Sequence, residues 1–110
     1  MSSEGYEKQC SIMRFVQIFS GKWILPIAYQ LIVAETPVRY TQLKKTLAPI
    51  TQKELSKQLK LLERHQLISK TIYPESPPRV EYQITVLGRT LESSIQALGQ
   101  WMENYEKNKA

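Results

Sequence analysis

Basic side chains recur at helical spacing in the middle of this sequence. They are Lys53, Lys57, Lys60 and Arg64. At about 100° per residue they share one face of a helix over residues 51–65, whose opposite face carries leucines that would pack in a core. Such cations can neutralise phosphate groups, so this outer face has the chemistry of a surface that binds a polyanion. A solvated surface helix without any ligand shows the same pattern.

The distribution of charge favours the first interpretation. The chain has 110 residues and a net charge of +5 at pH 7. Residues 36–70 contain eight Lys and Arg against two Glu, whereas the rest of the chain has seven basic residues against eight Glu. The positive excess therefore surrounds the helix at 51–65, which is typical of a protein that binds nucleic acid. A membrane surface is a weaker alternative, because the other face of that helix is committed to a core.

The elements that must position these cations are helices and a β-hairpin. A short helix over residues 40–47 and the turn Ala48-Pro49-Ile50 precede the basic helix, which makes a helix-turn-helix pattern. Thr51 is the expected N-cap, and Glu54 is expected to return a hydrogen bond to it in a capping box. Residues 22–35 are apolar nearly all round, as in a central buried helix.

A β-hairpin is predicted directly after the basic helix. Residues 68–73 and 80–84 are rich in β-branched and aromatic side chains, and the second run alternates like a half-buried strand. Three prolines stiffen the tip, which ends at Arg79. We expect Arg79 to contact a phosphate or to enter a minor groove, with a solvated turn residue or an ion pair to Glu75 as the alternatives.

Two kinds of DNA contact are predicted for this unit. Thr, Gln, Ser and Lys side chains can reach base edges. The residues expected to do so are Thr51, Gln52, Lys53 and Ser56. The other predicted DNA contacts, mainly to phosphates, are Arg39, Lys44, Lys45, Lys57, Lys60 and Arg79.

A second apolar surface is predicted near the two chain ends. A single long helix is expected from Thr85 to about Tyr105, and its apolar stripe is larger than a peripheral helix of a small domain needs. The simplest explanation is that a second copy of the chain packs on this stripe, with the helix at 11–20 also in the contact. Packing of the stripe within one chain is the alternative. The predicted dimer interface is Ile12, Phe15, Phe19, Leu91, Ile95, Leu98, Trp101, Met102 and Tyr105.

Composition argues against an enzyme and against a metal or other cofactor. The chain has one His, one Cys and no Asp, so neither a metal-ligand cluster nor a catalytic constellation is present. No apolar run could span a bilayer and no signal peptide is recognisable, which predicts a cytoplasmic protein. Flexible termini at 1–9 and 106–110 are expected to flank a single domain over residues 10–105.

Several of these segments together resemble the HxlR family of bacterial transcriptional regulators. The resemblance covers about residues 9–105. It is carried by Gly21-Lys22-Trp23, Arg39-Tyr40 with Leu43, Ile50-Thr51-Gln52-Lys53, Arg79-Val80-Glu81-Tyr82, and Thr85 with Gly88. It implies an α+β, mostly α, winged helix-turn-helix fold of the wider MarR-like group. It also implies a homodimer, joined by helices 11–20 and 86–105, that binds palindromic operator DNA through recognition helix 51–65 and wing tip 74–79.

Three residues depart from the family pattern, and one of them is Ser20, which stands where a second glycine is common. Pro26 replaces an aliphatic residue of the second helix, and it is tolerable only if that helix starts near Lys22. Gln66 stands where glycine usually ends the recognition helix, which predicts a left-handed residue that carries a side chain.

Cys10 is the candidate sensor of a signal. As a lone cysteine it cannot form a disulfide within one chain. It stands at or before a helix N-terminus with Lys8 and Arg14 nearby, and both effects lower a thiol pKa. The resemblance implies that some members sense oxidants or electrophiles through the matching cysteine, while a half-buried residue without a signalling role is the alternative.

Other interpretations remain open at this stage. A small-molecule effector in the dimer cleft, lined by Trp23, Tyr29 and Trp101, competes with thiol sensing. A winged helix that binds protein partners through its hairpin competes with the DNA-binding regulator, which is expected to be a repressor.

Overall fold

The computed structural model describes residues 3–109 and is mostly helical with one small sheet, so the α+β, mostly α prediction is confirmed. The elements are α1 (Ser3–Gln9), α2 (Ser11–Phe19), α3 (Ile24–Ala34), β1 (Val38–Arg39), α4 (Tyr40–Thr46), α5 (Gln52–Arg64), β2 (Ile68–Tyr73), β3 (Arg79–Ile84), α6 (Val86–Arg89) and α7 (Glu92–Asn108). Helix α1 occupies the segment predicted to be a flexible N-terminus, and α7 extends past Tyr105. The flexibility of both termini stays a prediction.

Helix α3 lies at the centre of the core. Ile24, Ile27 and Ala28 are fully buried, as the apolar run predicted. Pro26 falls in the first turn, where its missing N–H leaves no intrahelical bond unmade. Leu55, Leu59 and Leu62 of α5 are also buried, because the apolar stripe of that helix packs against α3.

The sheet holds the hairpin beside the helix-turn-helix. Its strand order is β1-β3-β2 and both pairings are antiparallel, with Val38 opposite Tyr82 and Ile68 opposite Ile84. Tyr82 and Ile84 turn into the core. Because β1 runs directly into α4, this pairing fixes the start of α4 against the hairpin.

A Schellman motif joins α5 to the hairpin. The N–H of Gln66 donates to Glu63 O and the N–H of Leu67 donates to Leu62 O, both at 3.0 Å. Gln66 has φ 63°, so the predicted left-handed residue with a side chain is confirmed. The Thr85 hydroxyl then donates to Gln66 O at 2.8 Å, which ties the end of the hairpin to the end of the helix.

The single long helix predicted after Thr85 is wrong, because the chain forms two helices, α6 and α7. Thr85 does cap α6, since its Oγ1 accepts from Gly88 N at 3.0 Å. The helix then breaks where the Thr90 hydroxyl bonds Leu87 O at 2.5 Å, a local bond that competes with helix continuation. Gly88 packs so tightly that a Cβ there would lie 2.1 Å from Leu67 O.

Helices α2 and α3 are separated by a break that contains Gly21. A Cβ on Gly21 would lie 3.2 Å from Nε2 of Gln58, so the glycine admits a buried side chain of α5. Within residues 3–109 no single helix is long and apolar enough to cross a membrane. Only α2 and α3 together reach that length and composition, as a pair bent by 85°.

Candidate nucleic-acid interface

The start of α5 is fixed by its cap and by one buried amide. Thr51 Oγ1 accepts from Glu54 N at 3.1 Å, as predicted. The second half of the predicted capping box is wrong, because the Glu54 carboxylate instead accepts from Gln58 Nε2 at 2.8 Å. Gln58 is buried and its amide requires a partner, so it takes the carboxylate away from the cap.

The basic face of α5 points to solvent. Lys53, Lys57, Lys60 and Arg64 are all exposed. Among the residues whose side chains the structure describes, none of these four takes part in an ion pair. Their charges are therefore available to an external anion, and they lie on the helix face opposite the buried leucines.

The residues predicted to read bases occupy two different environments. Thr51, Gln52 and Lys53 are exposed at the first turn of α5. Ser56 is half-buried, and its Oγ lies 2.9 Å from the hydroxyl of Tyr40 in α4. The same Tyr40 hydroxyl also lies 3.3 Å from Gln52 O. Ser56 therefore faces the hairpin side of α5 and is less accessible than a base-reading residue was expected to be.

Helix α4 carries the remaining predicted cations. Arg39 is the N-cap residue of α4 and is exposed, without a capping hydrogen bond from its side chain. Lys44 and Lys45 are exposed in the last turn of the same helix. The three cations thus stand at the two ends of the helix that precedes the α4–α5 turn.

Arg79 is held by its own hairpin. Its Nε lies 3.2 Å from Glu75 Oε2 and 3.3 Å from Glu81 Oε2, and its guanidinium stacks on the Tyr73 ring at 4.0 Å. The side chain is 30% exposed. The pairing with Glu75 considered as the alternative is therefore present, and a DNA contact by Arg79 stays a prediction that would require it to leave or share these carboxylates.

A groove lies between the hairpin and the starts of α4 and α5. It has a volume of ≈ 590 Å³. Tyr40 and Ser56 line it, and so do Arg39, Lys70 and the proline-rich tip. Sequence patterns assigned neither Tyr40 nor Lys70 to a DNA contact, and the contact of Tyr40 with Ser56 joins two helices across sixteen residues.

The predicted dimer residues divide into an exposed set and a set that packs on the core. Leu91 and Ile95 pack against the core of the same chain, as does Phe19, which Phe15 stacks on at 4.5 Å. The exposed set carries the larger free apolar area. It consists of Ile12, Leu98, Trp101, Met102 and Tyr105, between 46% and 67% exposed.

Cys10 is the N-cap residue of α2 and is half-buried. The backbone N–H of Met13 lowers the pKa of its thiol most, followed by the hydroxyl of Tyr6. The N–H of Ile12 and the charge of Arg14 lower the pKa further, while burial opposes them. The predicted direction is thus present, and a helix N-terminus is its main physical cause.

Within one chain, the three aromatic residues expected to line an effector cleft of the dimer do not line a common groove, and the cleft of the dimer stays a prediction. Tyr29 lines a groove of ≈ 630 Å³ between α3 and α7, together with Pro26, Ile95 and Leu98. Trp23 packs against the core and Trp101 is 62% exposed, and neither lines this groove. Their spacing in the sequence carried no information about which side of α3 or α7 each would face.

The geometry defines a class of protein. A helix-turn-helix (α4 and α5) with a hairpin packed beside its second helix is a winged helix-turn-helix, a fold that presents one helix to the major groove of DNA. The recognition helix is α5, and the wing is the tip between β2 and β3.

The family follows from comparison with known proteins. Residues 18–110 match the family model for the HxlR-like helix-turn-helix, and the chain belongs to that family. It is 37% identical over 105 residues to the HTH-type transcriptional regulator YdeP of Bacillus subtilis, covering 96% of this chain and 80% of that protein.

Solved structures support the same conclusion. A transcriptional regulator of the MarR family from Porphyromonas gingivalis W83 has a TM-score of 0.80 and 34% identity, covering 100% of this chain and 98% of that one. The redox regulator HypR in its oxidised form has a TM-score of 0.75 and 30% identity, covering 92% of this chain and 99% of that one. The prediction of an HxlR-type winged helix-turn-helix transcriptional regulator is confirmed.

Proposed function

We propose that the protein is a homodimeric repressor that binds an inverted-repeat operator in a sequence-specific manner. The observation that carries the proposal is the exposed basic face of α5 beside the wing, with none of its four cations ion-paired to a side chain that the structure describes. Because operator DNA is the proposed partner, the protein would act in the cytoplasm.

The first turn of α5 would enter the major groove. Exposed Thr51, Gln52 and Lys53 have the donors and acceptors that distinguish base pairs there. Lys57 and Lys60, with Lys44 and Lys45 of α4, would contact the flanking phosphates and fix the register. This division predicts that sequence preference and overall affinity depend on different residues.

Dimerisation would double this reading unit. Several apolar side chains of α2 and α7 are exposed in a single chain, and contact with a second copy would bury them. This burial supports a two-fold interface between the copies. A two-fold axis relates two copies of α5, so the operator would be an inverted repeat with half-sites about one helical turn or more apart.

Selection from random duplex DNA tests this proposal. We expect the recovered sequences to contain an inverted repeat, and affinity for it to fall steeply with salt as counterions are displaced from phosphates. A protein-interaction module would show neither result, so affinity for duplex DNA that does not change with salt would overturn the DNA-binding function.

We further propose that modification of the Cys10 thiolate releases the DNA, through a thiol adduct or a disulfide between two chains. The lowered pKa of Cys10 and the similarity to the redox regulator HypR support this trigger. A small molecule in the α3–α7 groove is the second candidate, supported by the mainly apolar lining around Tyr29.

Titration of DNA release with diamide separates the two triggers. Release from the wild type but not from Cys10→Ser would support the thiol trigger, whereas equal release from both proteins would contradict it. The Cys10→Ser protein must still bind the operator without diamide, which controls for loss of the fold.

A further inference from the structure

The hydroxyl groups of Tyr40 and Ser56 form a pair at the floor of the groove between the wing and α5. Their oxygen atoms lie 2.9 Å apart, and the Tyr40 hydroxyl is 3.3 Å from Gln52 O. If Ser56 donates to Tyr40, the Tyr40 proton has only this longer bond to Gln52. If Tyr40 donates to Ser56, it makes the shorter bond and leaves the Ser56 proton free for an acceptor in the groove.

Two cations line the same groove. Arg39 and Lys70 are both exposed there, on α4's N-cap and on β2. Arg79 is already placed between Glu75 and Glu81, so its charge is largely compensated inside the hairpin. The three cations and the two carboxylates, Glu75 and Glu81, together leave one net positive charge at the groove and its walls. Both carboxylates are paired with Arg79.

An anion is therefore the ligand that this groove fits best. It would receive a hydrogen bond from the hydroxyl pair and charge compensation from Arg39 and Lys70, while Arg79 compensates the charges of Glu81 and of Glu75, which also lines the groove. The groove also runs between the two elements that would straddle one DNA strand, the recognition helix and the wing.

We propose that the Tyr40–Ser56 pair and Lys70 bind one phosphate of the DNA backbone in each half-site. This inference rests on the proposed DNA-binding function and adds to it a specific site. It also reassigns Ser56 from the reading of bases to the positioning of the backbone.

Replacement of single operator phosphates by neutral methylphosphonates tests the site. We expect one position per half-site at which the replacement weakens the wild-type complex about tenfold and weakens the Lys70→Met or Tyr40→Phe complex much less. Lys70→Met should also lower the salt slope by about one unit per chain, whereas Tyr40→Phe removes no charge and should leave the slope unchanged.

Matched variants control for indirect effects. Ser94→Ala removes an exposed hydroxyl from the first turn of α7, and Lys107→Met removes a charge from the end of α7, so both should behave as wild type at every methylphosphonate position. Circular dichroism and thermal unfolding of each variant show whether the fold is retained.

The outcomes distinguish this site from the general function. If the wild type fails to bind duplex DNA, the proposed function fails. If the wild type binds but no methylphosphonate position couples to Tyr40 or Lys70, the phosphate site is wrong while the function stands. A change of base preference in Ser56→Ala, with all phosphate couplings retained, would likewise overturn the site and restore Ser56 as a base-reading residue.

Discussion

At the scale of single residues, affinity and sequence preference should separate on α5. Lys57 is exposed without an ion pair to any side chain that the structure describes, and Gln52 is exposed at the first turn. The two side chains project from the same helix, but only the lysine offers a charge to the sugar–phosphate backbone.

Lys57→Ala should weaken binding to all duplex sequences and flatten the salt dependence by about one unit per chain. Gln52→Ala should instead relax base preference more than it lowers non-specific affinity. Fluorescence anisotropy at several salt concentrations, with operator and scrambled DNA, measures both quantities. An unchanged salt slope in the first variant, or an unchanged preference in the second, would contradict the proposed docking.

The acidity of Cys10 is also a property of a few neighbouring groups. The N–H of Met13 and the hydroxyl of Tyr6 lower the pKa of the thiol, so a larger fraction is thiolate at a given pH than in an unfolded chain. The pH at which alkylation by iodoacetamide is half-maximal should lie below the value measured in urea, and Tyr6→Phe should move it upward. Coincident profiles for the folded and unfolded chains would show that the local structure does not activate the thiol.

At the scale of elements, the junction of the hairpin with α6 tolerates no added atom. A Cβ at position 88 would meet Leu67 O at 2.1 Å, and this carbonyl already accepts from the backbone N–H of Thr85 at 3.0 Å. The wing is therefore locked to the C-terminal part of the chain through backbone contact.

Gly88→Ala should destabilise the fold by about 3 kcal/mol or more, because either the backbone must move or a tight contact remains. Gly99→Ala is the matched control, since no atom lies within 4 Å of its added Cβ and alanine favours the helix by up to about 1 kcal/mol. Urea unfolding measures both changes. Equal stability of the two variants would mean that the α6 junction is looser than its geometry indicates.

Elements that depend on local patterns were predictable, whereas their contacts with distant residues were not. The cap at Thr51 and the buried leucines of α5 follow from spacing and residue type within a few positions, and the left-handed Gln66 follows from the family resemblance. The diversion of Glu54 to Gln58 depends on the burial of Gln58, which no local pattern encodes. The break between α6 and α7 was missed although the bond between Thr90 and Leu87 at the break is local. The same limit applies to the site, where the exposed cations were identified but the Tyr40–Ser56 contact was missed.

At the scale of the whole molecule, the apolar faces of α2 and α7 should determine the oligomeric state. Trp101 is 62% exposed and stacks on Tyr105 at 5.3 Å, so this part of α7 presents an exposed aromatic surface. Val86 is even more exposed, at 89%, but lies on α6.

Trp101→Glu should convert a dimer into a monomer, because a charge would be buried in the interface. Val86→Glu should leave the dimer intact, since α6 is outside the proposed contact. Sedimentation equilibrium gives the mass of each variant, and operator affinity should fall only where the dimer is lost. A dimeric Trp101→Glu protein would exclude this face of α7 from the interface.

The reading unit is one uninterrupted stretch of chain, from β1 to Thr85, whereas the apolar faces come from the two ends of the sequence. Operator choice and partner choice are therefore separable by recombination. Exchange of residues 38–85 between two such regulators should transfer DNA preference and leave subunit pairing with the parent that donates the ends. The faces of α5 and β3 that pack on α3, and the junction of the hairpin with α6, would have to be matched in such a chimera.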